Sequence, residues 1–251
     1  MKTITPIQAS DLEFDNGTFD AAASTAQTLS SWQSLASVID HTLLKPEATR
    51  AQVETLCAEA ARYRFACAMV NPVWAATAVN LLSGTGVPVG VVIGFPFGAS
   101  LVSTLRQEAA ALTRLGAKEL DMVIPLGLLK SGNHPAVQHT IHATASVVHH
   151  HGALLKVILE TSLLTMEEKL RASEIAIQAG ADFIKTSTGF STGGATAADV
   201  ALMRGVAGAR CGVKASGGVR TLADVKAMLE AGANRIGASA SVAIVRELGA
   251  V

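Results

Sequence analysis

An excess of charge of either sign is missing from this chain. Lys and Arg total 20, Asp and Glu total 20, and the formal net charge is zero. A balanced chain lacks the basic footprint that holds nucleic acid or an anionic membrane. Any anion it binds must be held locally. Aromatic residues are scarce, at 4% of 251 residues, while Gly alone numbers 22. Small residues suit tight helix-on-strand layers better than an all-β sandwich. The cysteines Cys57, Cys67 and Cys211 make no CxxC and no even framework. That excludes a disulfide scaffold and points to a reduced, cytoplasmic protein. Long apolar runs are also missing. The longest, Val87–Gly98, is broken by prolines and falls short of the ~20 residues that span a bilayer. Residues 1–33 carry Asp11, Glu13, Asp15 and Asp20 and no apolar run, unlike a secretory signal or a transit peptide.

Apolar residues make up 49% of the chain and charged residues 16%. Such a chain folds around a large core. Residues 1–33 show no sustained period and read as an appended arm with room for one helix. From residue 34 onward a regular alternation begins. Short apolar runs at Val38–Thr42, Ala66–Asn71, Pro88–Ile93, Glu119–Ile124, Leu154–Glu160, Asp182–Thr186, Gly212–Ala215 and Arg235–Ala238 read as parallel strands buried on both faces. Between them, Ala51–Tyr63, Leu101–Leu115, Pro135–His150, Met166–Ala179, Ala197–Val206 and Leu222–Ala231 have apolar residues at helical spacing, and Pro72–Leu82 does so more weakly. Ser100, Thr165, Thr196 and Thr221 read as helix caps. Leu115-Gly116-Ala117, His151-Gly152-Ala153, Ala179-Gly180-Ala181 and Ala231-Gly232-Ala233 form a weak repeat, each closing a helix just before a strand. Eight such units predict an α/β protein: a (β/α)8 TIM barrel over 34–251, a single domain with an N-terminal extension over 1–33.

Counted from the capping glycines, Asp121, Lys156, Lys185 and Gly237 fall at nearly one offset, and Lys214 ends the seventh run. These positions predict the C-terminal strand ends, where barrel enzymes keep their active sites. Three lysines inside apolar runs need carboxylate partners or must be neutral. Asp121 and Asp40 are the expected partners. A structural salt-bridge network is one reading. The other is chemical: an ammonium nearby in a dry pocket lowers a lysine's pKa, and the neutral amine attacks a carbonyl to form a Schiff base. Asp121 is placed to move protons. The glycine-rich segments Thr188–Gly194, Ser216–Arg220 and Gly237–Ser239 follow strands six, seven and eight, the last opening a helix. Loops of this kind form the phosphate cradle of such barrels.

Five segments then show a resemblance. Val38–Pro46, Glu119–Pro125, Leu155–Thr161, Phe183–Gly189 and Val213–Arg220 closely resemble the deoxyribose-phosphate aldolase family, in order, across roughly 35–249. The resemblance implies a (β/α)8 fold and cleavage of 2-deoxy-D-ribose 5-phosphate to D-glyceraldehyde 3-phosphate and acetaldehyde. It implies a Schiff base on Lys185, with Asp121 and Lys214 as proton-transfer and pKa-tuning partners. It implies phosphate at Gly189, Gly217, Gly218, Gly237 and Ser239, with Arg220 in the same loops. Asp40, Thr42, Lys156 and Thr186 are expected to line the substrate pocket. Two departures stand out. Met69 occupies a second-strand position where the family commonly carries cysteine, and 1–33 lies outside the usual core. Cys67 shares Met69's side of the sheet by alternation and is expected to be buried and protonated.

No metal or cofactor is expected. Six histidines fall within 134–151, but no Asp or Glu lies in 131–151, and cations at a helix C-terminus are favourable in themselves. No dinucleotide fingerprint follows the first strand, and there is no Walker lysine. The expected partners are a small sugar phosphate and acetaldehyde, with neither nucleic acid nor membrane. A compact barrel with few aromatics is compatible with a homodimer. Two alternatives stay open: a Schiff-base aldolase on another phosphorylated carbonyl compound, and a silent barrel that only binds a sugar phosphate.

Overall fold

A computed structural model describes residues 18–251. Eight parallel strands follow one another around a closed barrel: β1 (Ile39–Leu43), β2 (Cys67–Val70), β3 (Val89–Ile93), β4 (Glu119–Val123), β5 (Leu154–Ile158), β6 (Phe183–Lys185), β7 (Gly212–Ser216) and β8 (Arg235–Ala238). β1 pairs with both β2 and β8, which closes the ring and leaves no sheet edge. All eight strands expected from the sequence are present, each within two residues at either end. The fold is the expected (β/α)8 barrel.

The outer layer is helical: α3 (Arg50–Tyr63), α4 (Ala75–Leu82), α5 (Val102–Arg114), α6 (Leu126–Lys130), α7 (His134–His150), α8 (Met166–Gln178), α9 (Ala197–Ala207), α10 (Leu222–Glu230) and α11 (Ser241–Glu247). Their buried faces meet the outward side chains of the strands in one continuous apolar core, from Leu35 and Ile39 to Ile244 and Val245. The periodic reading missed α6, whose five residues are too few to show a period. It read Gly237–Ser239 as opening the last helix, and α11 starts two residues beyond, at Ser241.

The Gly-Ala repeat has a physical cause. At Gly116, Gly152, Gly180 and Gly232 the backbone has positive φ. The alanine that follows each donates its N–H back to the last helical turn: Ala117 to Leu112, Ala153 to Val148, Ala181 to Ala176 and Ala233 to Met228. These are Schellman closures, and each feeds the next strand directly. At the other helix ends, Thr165 and Thr221 make capping boxes and Thr196 caps α9, each cap being worth about 1 kcal/mol. Ser100 is not a cap. α5 starts one residue later than expected, at Val102 behind Leu101, with no side-chain cap. Thr49 and Gln52 form a box on α3 that the sequence reading passed over.

The described part of the N-terminal arm lies on the barrel. α1 (Ala21–Thr28) packs against α10. The Phe19 ring sits 3.9 Å from the Arg204 guanidinium carbon. The boundary expected after residue 33 falls inside α2 (Trp32–Ala36), whose Leu35 and Ala36 are fully buried. Among the described residues no helix is long and apolar enough to cross a membrane.

Candidate active site

The barrel interior is unusually charged. Lys156, Lys185 and Lys214 are at most 3% exposed, and Asp40 and Asp121 are fully buried. Buried charges of this kind persist only when paired. The Lys185 Nζ lies 2.8 Å from Asp121 Oδ2, and the Lys214 Nζ lies 2.7 Å from the same oxygen. Lys214 also reaches Asp40 Oδ2 at 2.5 Å. Lys156 lies 2.9 Å from Asp121 Oδ1, 2.6 Å from Glu119 and 3.4 Å from Asp40. Arg235 closes the network, 2.9 Å from Asp40 and 3.4 Å from Glu119.

The expectation that these groups mark strand ends needs correction. Only Lys185 is the last residue of its strand. Asp121, Lys156 and Lys214 are each the third of five residues, and Asp40 is the second of five. Strands in a closed barrel are tilted and staggered, so groups level along the axis sit at different places in their strands. The register shows this: Lys214 is opposite both Lys185 and Arg235, and Asp121 is opposite Lys156.

Above the network a cavity of about 400 Å³ opens at the C-terminal mouth. Lys185, Lys214 and Thr42 line it, together with Gly189, Gly217, Gly218, Arg220, Gly237 and Ser239. Asp40, Asp121 and Lys156 lie outside its lining and belong to the ionic layer. Thr186 is also outside the lining. Its hydroxyl donates to Ser216 O at 3.0 Å and accepts from Ser216 N at 3.1 Å, tying β6 to β7. Its neighbour Lys185 faces inward, and alternation turns Thr186 away. Thr188 and Ser216, which open two of the glycine-rich segments, line the cavity as well, and so does Lys45, which was not singled out. Glu119 and Arg235 were missed too. Glu119 stands two residues before Asp121, on the same face by the same alternation, and that spacing was the available signal.

Electrostatics separate the lysines. Burial lowers the Lys185 pKa to about 8, with Lys214 and Lys156 pushing the same way against Asp121. At neutral pH that raises the neutral fraction roughly 300-fold over an ordinary lysine. Burial also acts against the charge on Lys156, but Asp121, Asp40 and Glu119 hold its pKa well above the usual range. Burial alone would raise the Asp121 carboxyl, yet Lys156, Lys185 and Lys214 pull it well below the normal value. Asp40 is held low by Lys156, Lys214 and Arg235 against the same burial penalty. Thus Lys185 presents an amine of low basicity to the cavity over fixed carboxylates.

The sulfur side chains sit in the same interior. A Cβ on Gly90 would lie 2.5 Å from Cys67 Sγ and 2.6 Å from Met69 Cε, so any larger residue there on β3 requires both sulfur side chains to shift. Burial raises the Cys67 thiol well above its ordinary pKa. Cys57, Cys67 and Cys211 are all buried and free. Asp40, Cys67 and Glu119 bring potential ligand atoms within 4.8 Å of one another, but Lys156 and Arg235 already neutralise both carboxylates.

The cavity's glycine loops are braced against each other. Ala195 N donates to Gly217 O at 2.9 Å, and a Cβ on Gly194 would lie 2.3 Å from that oxygen. Gly194→Ala therefore forces the loops after β6 and β7 apart. We expect KM for a substrate bound in this cavity to rise about tenfold or more with a smaller change in kcat, read from steady-state kinetics.

This chain is similar to known proteins. The family model described as DeoC/LacD family aldolase matches residues 34–247. Deoxyribose-phosphate aldolase of Geobacillus sp. (strain WCH70) is 55% identical over 169 residues, 67% of this chain and 75% of that protein. The enzyme of the same name from Listeria monocytogenes serovar 1/2a is 54% identical over equal shares. Among solved structures, deoxyribose phosphate aldolase from Aeropyrum pernix, described as tetrameric, superimposes with a TM-score of 0.84. It is 36% identical, with 91% of this chain and 96% of that chain covered. With the family model matched over residues 34–247 and relatives 54–55% identical over two thirds of the chain, this chain belongs to the DeoC/LacD family of aldolases and is a lyase.

Proposed function

We propose that the chain cleaves 2-deoxy-D-ribose 5-phosphate reversibly, through a Schiff base on Lys185. The observation that carries this reading is the low basicity of Lys185 at the cavity wall, 2.8 Å from Asp121. The neutral amine adds to the C1 aldehyde, and the carbinolamine loses water to give an iminium. Loss of the C3 hydroxyl proton breaks the C2–C3 bond. Its electron pair enters the iminium to form an enamine, and D-glyceraldehyde 3-phosphate leaves. Protonation at C2 and hydrolysis then release acetaldehyde and restore the amine. Lys214 lines the cavity and shares the Asp121 oxygen with Lys185, so the Lys214–Asp121 pair carries these protons. Thr42 lines the cavity mouth beside them, and Asp40 and Lys156 hold the pair from below. Thr186 holds β6 against β7 beneath the cavity. The names of the Geobacillus and Listeria relatives support the same substrate.

Borohydride reduction with acetaldehyde, followed by peptide mass mapping, tests the mechanism. An ethyl group on Lys185 supports it, and one on Lys156 or Lys214 overturns it.

The phosphate is held by the loops that carry Gly189, Gly217, Gly218, Arg220, Gly237 and Ser239. Backbone N–H groups and one arginine suffice in a chain with no net charge. Ser239→Asp puts a carboxylate where the phosphate rests, and repulsion in a desolvated cradle is costly. Cleavage of the phosphorylated sugar falls by roughly a hundredfold relative to unphosphorylated deoxyribose, measured as the ratio of kcat/KM values. An unchanged ratio places the phosphate elsewhere.

A further inference from the structure

Seven charged side chains form one ionic network inside the barrel. The cations are Lys156, Lys185, Lys214 and Arg235, and the carboxylates are Asp40, Glu119 and Asp121. With every group ionised, four cations meet three carboxylates, an excess of one positive charge. A dry interior penalises that excess, so one cation loses its proton more easily than it would in water. The contacts choose which. Lys156 touches three carboxylates, Lys214 two and Arg235 two, whereas Lys185 touches Asp121 alone. A neutral Lys185 leaves three cations against three carboxylates.

We infer that Glu119 and Arg235, which lie outside the substrate cavity, are positioning residues that set the charge count beneath Lys185 and so make it the member of the cluster that loses its proton most readily. The inference rests on reading Lys185 as the nucleophile. Around the network, β1 contributes Asp40, β2 the protonated Cys67, β4 Glu119 and Asp121, β5 Lys156, β7 Lys214 and β8 Arg235, while β3 presents Gly90. Lys45 and Arg220 line the cavity, and Glu160 is taken up by Thr188. Arg235 keeps its place at the foot of the barrel with its guanidinium 5.3 Å from the Phe183 ring centroid.

Charge removal at the two positions has opposite consequences. Arg235→Gln leaves three lysines against three carboxylates, so a protonated Lys185 is balanced and its proton is harder to lose. Glu119→Gln leaves an excess positive charge even with Lys185 neutral, so its proton is lost more easily. The double variant restores the count, two lysines against two carboxylates with Lys185 neutral. Arg235→Lys leaves the count untouched. A purely structural role would lower activity in each variant without moving any midpoint in opposite directions.

The experiment follows Lys185 itself. Trace acetic anhydride labelling across pH, quantified on the Lys185 peptide by mass spectrometry, reads its protonation without needing turnover. Borohydride trapping of acetaldehyde across pH reads its reactivity. Expected midpoints move up by about one pH unit in Arg235→Gln and down by a similar amount in Glu119→Gln. They return close to wild type in the double variant and in Arg235→Lys. Shifts of the same sign, or unmoved midpoints in folded variants, overturn the inference. If Glu119→Gln does not fold, Arg235→Gln against Arg235→Lys still decides. A labelling midpoint that moves as expected while the adduct maps to another lysine defeats the nucleophile reading and leaves the charge count standing.

Discussion

Lys185→Ala abolishes the borohydride-trapped acetaldehyde adduct and lowers aldol cleavage by roughly 10⁴-fold or more. Neither of the other lysines in the ionic network can take over. Lys156 is fully buried beneath the cavity and strongly held as an ammonium by three carboxylates. Lys214 lines the cavity but is shared between Asp40 and Asp121. The truncation leaves Lys156, Lys214 and Arg235 against Asp40, Glu119 and Asp121, a balanced set, so the fold survives. A thermal melt near that of wild type separates chemical loss from unfolding. In the wild type the trapping rate climbs as pH rises through about 8, because only the neutral amine attacks and burial lowers the Lys185 pKa to that value. A Lys185→Ala variant that still yields an adduct at the wild-type rate would falsify the assignment.

The sequence carried much of this architecture because two periodicities survive in it. Strands buried on both faces read as short apolar runs. Four of the helices between them, α5, α7, α8 and α10, end in a Gly-Ala pair that the backbone needs for its closing turn, as Ala117 and Ala233 show. Lys156, Lys185, Lys214 and Asp121 were legible because a charged residue inside an apolar run has no packing purpose. Their depth was not legible. Barrel stagger sets it, and stagger is a property of the closed sheet rather than of any one strand. Glu119 and Arg235 escaped for a related reason. Each opens its strand, where a polar residue reads as the end of a loop, yet the register sets Arg235 opposite Lys214. Thr186 shows the opposite failing. Adjacency to Lys185 suggested the cavity, while alternation sends its hydroxyl to the Ser216 backbone. The 33/34 boundary followed composition, which cannot see that Leu35 and Ala36 anchor a helix begun at Trp32.

Asp121→Asn should separate forming the Schiff base from turning it over. Asp121 accepts from Lys156, Lys185 and Lys214 at once and is fully buried. Removing one partner of a buried ion pair ordinarily costs about 3–5 kcal/mol. Here Lys185 offers a partial escape, because shedding its proton relieves the uncompensated charge. Its pKa in the variant therefore falls further below about 8, where burial already places it. An unfolded lysine holds its proton up to about pH 10.4. Between the folded and unfolded values the unfolded chain binds more protons, so stability rises with pH across that window and is lost as pH falls. In the wild type this group's window closes near pH 8, and in the variant it extends lower. Tm of Asp121→Asn should thus drop further than that of wild type between pH 8 and pH 6. The acetaldehyde adduct should still form on Lys185, and at lower pH than before. Turnover should fall by roughly 10²–10⁴-fold, because the carboxylate that Lys185 and Lys214 share is gone and Asp40 contacts Lys214 but not Lys185. A folded variant that loses adduct and turnover together would show that Asp121 serves to orient the amine. One that keeps full turnover would remove Asp121 from the proton path and leave Lys214 and solvent to carry it.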